Sequence, residues 1–155
     1  MRVKMEEKLK ILIAIDEMAS ALKAVHYVGR ICHNIANISI CLLHIYPEPP
    51  PDFYLNGGIL NDYQMEHIGN AEQIFQEGIQ ILLGYGIQRE AIFCTTHMTE
   101  GKTISETLLK VRHMGNFNTV VTGKRGVSKA EEFLFGSISN ALARNCNDFS
   151  VWIVG

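Results

Sequence analysis

The chain is short of proline, of charge and of long apolar runs, and each shortage removes a class of protein. All four prolines stand together at Pro47, Pro49, Pro50 and Pro51. Regular structure is therefore barred only there, where Pro47-Glu48-Pro49-Pro50-Pro51 reads as a stiff, extended exit from whatever precedes it. Charged residues are 19% of the 155 positions and the net charge is −2. That balance leaves no field for a general polyanion binder, so no nucleic-acid partner is expected and any phosphate site must be local. No apolar run approaches the ~20 residues of a bilayer span. The charged start, Met1-Arg2-Val3-Lys4-Met5-Glu6-Glu7-Lys8, leads into an apolar run broken at Asp16 and Glu17, too short for a signal-peptide core and cleavage site. A cytoplasmic protein without membrane contact is the expectation. Cys32, Cys41, Cys94 and Cys146 include no close pair and each has apolar neighbours, so they read as buried thiols rather than a disulfide or redox set.

What is present alternates along the chain. Lys10 to Ile15 is a continuous apolar run bounded by charge, as in a strand buried on both faces. From Ser20 to Ala36, Leu22, Val25, Val28, Cys32 and Ile35 recur at helical spacing, with Asn37 as the stop. Ile38 to Ile45 is a second buried strand. The connection that follows, from Tyr46 through Gly57-Gly58 to Asn61, runs to about fifteen residues, long enough to suggest a lid or contact role. A helix is expected from about Asp62 to Leu83, with Ile68, Ala71, Phe75, Ile79 and Leu82 inward and Gly84 and Gly86 closing it. Ala91 to His97 reads as a strand, Thr103 to Met114 as a helix stopped by Gly115, and Thr119 to Thr122 as a strand. A last helix from Ser137 to about Cys146 and a last strand from Ser150 to Val154 complete the pattern. Strands alternating with helices predict a parallel sheet covered on both faces, in one domain spanning residues 1–155.

The stretch most suited to chemistry is Thr119-Val120-Val121-Thr122-Gly123-Lys124-Arg125-Gly126, followed after nine residues by Gly136-Ser137-Ile138-Ser139. Gly123, Gly126 and Gly136 let backbone approach a ligand and turn successive N–H groups towards an anion. Ser137 is a good N-cap, and the helix it opens presents free N–H groups and a favourable dipole to negative charge. Lys124, Arg125 and Lys129 add full positive charges. An ordinary strand-to-helix connection has some of the same ingredients. Asp16, at the end of the first strand, suits ribose hydroxyls or a water-held Mg²⁺, and equally a turn or helix cap.

Gly-x-x-Gly, nine residues and Gly-Ser after an apolar strand resembles the nucleotide-binding motif of the universal stress protein family, in its ATP-binding subgroup. The resemblance covers nearly the whole chain, including the opening strand with its Asp, the strand ending in His44-Ile45 and the Glu100-Gly101 turn. It implies a Rossmann-like α/β fold, a doubly wound five-stranded parallel sheet in the order 3-2-1-4-5, which sets the loop after strand one beside the loop after strand four. It further implies an adenine nucleotide, ATP or ADP with Mg²⁺, held by Ala14, Ile15 and Asp16, with the base against Ile45. The phosphates would lie on Gly123, Arg125, Gly126, Gly136, Ser137 and Ser139, with Thr122 and Ile138 lining the path. Three positions depart from the family: Glu17 where small residues are common, Asn118 where Asp is frequent, and Phe149 where Pro often precedes the last strand.

Other motifs are weaker. Gly101-Lys102-Thr103 looks like the end of a P-loop, but the first glycine it requires is replaced by Thr96. No Gly-x-Gly-x-x-Gly follows a strand, and the loop from Asp16 to Ser20 has no glycine pair for pyrophosphate. The six histidines form no metal signature; His26 and His33 share a helical face, and His44 and His97 end neighbouring strands. No nucleophile–base set is visible, so hydrolysis is expected to be slow or absent. Val151-Trp152-Ile153-Val154 leaves an apolar edge at the end of the chain, and the resemblance implies a homodimer through it. The expectation is a nucleotide-binding regulatory stress protein. The alternative is an interaction module of the same fold that binds a protein partner and not ATP.

Overall fold

The computed structural model describes residues 7–16, 19–124 and 138–155. Its order is β1 (Leu9–Ala14), α1 (Ala19–Cys32), β2 (Ile38–Tyr46), α2 (Leu60–Gly84), a 3-10 turn (Arg89–Ala91), β3 (Ile92–Met98), α3 (Ile104–Gly115) and β4 (Thr119–Gly123). A helix over 138–145, here α4, and β5 (Ser150–Val154) follow. The strands form one parallel sheet in the order β3-β2-β1-β4-β5.

Period-two alternation divides the core. Ile11, Ile13, Ile15, Ile40, Leu42 and Val121 face the layer that contains α1 and α2. Leu12, Leu43 and Val120 face α3 and α4, where Leu108, Val111 and Leu142 cover them. A side chain at Gly78 would put its Cβ 2.8 Å from Leu42 Cδ1, so the glycine lets α2 lie close on β2.

Several local expectations need correction. α1 ends at Cys32, four residues before Ala36: Ile35 N donates to Cys32 O at 3.0 Å in a closing turn, and Ile35 is exposed rather than inward. His33 therefore lies beyond the helix. Ile68 is exposed although it lies on the inward stripe of α2, because the buried residues of that helix begin only at Ala71. The stop of α3 is Asn116, which takes the left-handed conformation (φ 51°), while Gly115 is still helical and packs under the Phe117 ring. Cys32 and Cys41 are buried, but Cys94 is exposed because β3 is an edge strand, and Cys146 is half-buried. The long connection is built of turns, with Gly58 N donating to Phe53 O at 2.9 Å and Phe53 N donating to Pro50 O at 2.9 Å.

Two of the residues that depart from the family pattern act as fasteners. Asn118 N donates to Lys10 O at 2.9 Å and Asn118 Oδ1 accepts from Lys10 N at 2.7 Å, which locks the start of β4 to β1. Phe149 lies under the Arg112 guanidinium, 4.5 Å from carbon to ring centroid, while the same guanidinium pairs with Asp148 at 3.1 Å.

Candidate functional site

In a parallel sheet the strands deliver their carboxyl ends to one edge, and a crevice opens where the chain order reverses. Here β1 is followed by β2 on one side and β4 lies on the other, so the reversal falls between β1 and β4. A cleft of about 230 Å³ lies there, below the ~300–1,000 Å³ of pockets that enclose a drug-sized ligand.

The cleft joins residues from six parts of the chain. Ala14, Ile15 and Asp16 come from the end of β1, Ile45 from β2, Thr122 and Gly123 from β4, and Ile138 and Ser139 from the start of α4. Arg125, Gly126, Gly136 and Ser137, expected beside them, lie outside the described residues, as do Glu17 and Lys129. Ala21, Leu43, Ile104 and Leu108 also line the cleft, and sequence reading missed them. They carry no signal of their own, since an apolar side chain at a strand end or on a helix face reads as core.

The arrangement is an apolar slot with polar groups at two levels. Ile104 and Leu108 of α3 and Ile138 of α4 lie across from Ala14, Leu43 and Ile45 of the sheet. Asp16 and Ser139 are half-buried, whereas Thr122 is 6% exposed. Thr122 Oγ1 is shut off from water and has no hydrogen-bond partner among the described residues.

The wall of the slot is held by a histidine. His44 is buried, and its Nδ1 donates to the Ile15 carbonyl at 3.2 Å, which continues the tie made by Ile15 N to Leu43 O at 2.8 Å. This fixes the β1 end that carries Asp16. His97 sits in register with Ile45 on the next strand. No group of three or more metal-ligating side chains occurs among the described residues.

The P-loop-like turn is filled by the protein's own acids. Gly101 N (φ +65° at Gly101) donates to Glu48 Oε1. Thr103 N donates to Glu106 Oε2 at 2.8 Å, and Glu106 N donates to Thr103 Oγ1 at 3.2 Å. These bonds complete a capping box at the start of α3, and they hold the Glu106 carboxyl below its ordinary range, chiefly through the Thr103 backbone N–H. Two of the backbone donors a phosphate would use, at Gly101 and Thr103, are thus taken. The long connection does not line the cleft. It is anchored instead by Glu48 N donating to Thr99 Oγ1 at 3.1 Å and by Tyr63 OH donating to Pro47 O at 2.8 Å. Burial raises the Tyr46 and Tyr63 hydroxyls above their ordinary pKa, and it pushes the Cys41 thiol up to about 12. No helix among the described residues is long and apolar enough to cross a membrane.

No curated protein sequence matches the chain. Solved structures do. The universal stress protein UspA from Lactobacillus plantarum superimposes with a TM-score of 0.70 at 14% identity, over 96% of this chain and 99% of its own. The universal stress protein from Archaeoglobus fulgidus, solved in complex with dAMP, gives 0.63 at 15% identity, over 95% and 98%. A universal stress protein family protein from Arabidopsis thaliana with AMP bound gives 0.62 at 11% identity, over 94% and 92%. At these identities the likeness fixes the fold. The family is fixed separately: residues 9–155 match the model of the universal stress protein family, and the chain belongs to that family.

Proposed function

We propose that the cleft binds an adenine nucleotide, ATP or ADP with Mg²⁺, and that the protein is a regulatory nucleotide-binding module of the cytoplasm that works as a homodimer. The observation that carries this reading is the meeting of Ala14, Ile15, Asp16, Ile45, Thr122, Gly123, Ile138 and Ser139 around one slot. The apolar walls suit a planar base. Asp16 suits ribose hydroxyls or a water of Mg²⁺, and Gly123 leads into the glycine-rich segment 123–137, whose composition suits phosphate. The relatives solved with AMP and dAMP support an adenine nucleotide as the class of ligand.

Hydrolysis is slow or absent on this reading. Asp16 is the only titratable side chain among the described lining residues, and a single carboxylate supplies only part of a general acid–base set. The dimer forms through β5, which pairs on one side only with β4. Its Ile153 is exposed, and on the opposite face of the strand Trp152 meets Tyr27 of α1 edge-on at 6.1 Å.

The test is calorimetric titration of ATP, with and without Mg²⁺, into the wild-type protein and into Ile45→Trp, a half-buried site where the larger ring fills the slot. Saturable binding lost in a folded Ile45→Trp protein is the expected result. Binding that survives the filled slot would place the nucleotide elsewhere.

A further inference from the structure

Two buried hydroxyls among the described residues have partners within the protein. Thr99 Oγ1 accepts from Glu48 N, and Thr107 Oγ1 donates to Thr103 O at 2.9 Å. Among the described residues, the one buried side-chain oxygen or nitrogen without a hydrogen-bond partner is Thr122 Oγ1, and Thr122 is also a residue of the cleft. An orphaned hydroxyl in a closed site is costly and calls for an explanation. Its place supplies one. Thr122 stands two residues after Val120 on β4, so by strand alternation it faces α3 and α4, on the side of the sheet where the apolar slot opens.

A threonine needs only a change of χ1 to exchange its methyl and hydroxyl. We propose that Thr122 is the specificity-determining residue of the cleft: its hydroxyl obtains its missing partner from the polar edge of the bound heterocycle. This rests on the nucleotide reading above and sharpens it. An apolar planar molecule fills the same space and leaves the hydroxyl unpaired, whereas a base with ring nitrogens or an exocyclic amino group satisfies it. Sites built to hydrogen-bond a ligand reject analogues that lack the matching group, because a buried polar atom is then stranded. The apolar walls therefore provide the affinity for a flat ring, and Thr122 selects which flat ring stays.

The experiment combines calorimetric titration with AMP and thermal unfolding without ligand, on wild type, Thr122→Val and Thr122→Ser. Valine keeps the shape and removes the hydroxyl; serine keeps the hydroxyl. The expected result is AMP affinity about ten-fold weaker in Thr122→Val and within about three-fold of wild type in Thr122→Ser. Unliganded Thr122→Val should melt no lower than wild type, and up to about 2–4 °C higher, because an unpaired buried group has been removed. AMP bound equally well by Thr122→Val overturns the proposal, and so does a clear fall in its unliganded Tm, which would give the hydroxyl a partner within the protein. Failure of wild type itself to bind AMP or ATP overturns the nucleotide reading, and this assignment with it.

Discussion

His44 Nδ1 donates to the Ile15 carbonyl at 3.2 Å, and this bond links the strand that carries the cleft-lining Ile45 to the segment after β1 that carries Asp16. His44 is 9% exposed, and its ring lies roughly parallel to that of Tyr46, with 6.3 Å between centroids. His44→Leu keeps the apolar packing and removes the donor. It should cost about 1–2 kcal/mol in denaturant unfolding and weaken nucleotide binding several-fold as the Ile15–Asp16 segment loosens. Unchanged stability and affinity would show that the bond is incidental.

Asn118 fastens the other side of the sheet's centre by exchanging two hydrogen bonds with the Lys10 backbone. The side-chain bond needs only an acceptor. Asn118→Asp should therefore remain within about 0.5 kcal/mol of wild type in urea unfolding, while Asn118→Ala loses about 1–2 kcal/mol.

The capping box at α3 makes stability depend on acid. The Glu106 carboxyl is held below its ordinary value of 4.5, first by the Thr103 backbone N–H and then by the Thr103 hydroxyl. A carboxyl with a lowered folded pKa contributes stability that is fully present above its unfolded pKa and is lost as pH falls through the folded one. Urea unfolding between pH 7 and pH 3 should show this loss in wild type below about pH 4.5, and a shallower acid limb in Glu106→Gln. Parallel acid limbs would remove Glu106 from the account.

The sheet has two edges, and the dimer proposal chooses between them. Trp152→Lys on β5 should yield a monomer in multi-angle light scattering at micromolar concentration, while Phe93→Lys on the exposed face of β3 leaves the dimer intact. A wild-type monomer, or dissociation by Phe93→Lys alone, would contradict it.

The elements were legible in the sequence wherever apolar runs were bounded by charge or glycine, as at Lys10 to Ile15 and Thr119 to Thr122. Strand order was not, because periodicity says which face is buried and nothing about which neighbour pairs; the 3-2-1-4-5 order came from the family resemblance. The end of α1 escaped because Ile35 continues the helical spacing in a turn. The sequence points to Gly115 as the C-terminal stop of α3, yet Asn116 takes the left-handed position, as asparagine can. At the site, Asp16 and Gly123 stand out by their own chemistry, whereas Thr122 and Ser139 come only with the family resemblance. Leu43, Ile104 and Leu108 do not stand out, since walls of a slot and walls of a core are the same residues until the fold separates them. Glu48 on Gly101 was equally hidden, because its partner lies across the fold in another connection.

The most direct measurement is mass spectrometry of small molecules released on denaturing the purified protein, followed by calorimetric titration with adenine nucleotides and Mg²⁺. The account predicts released ATP or ADP, or saturable binding of an added adenine nucleotide. A protein that releases none and ignores adenine nucleotides up to millimolar concentration would contradict it.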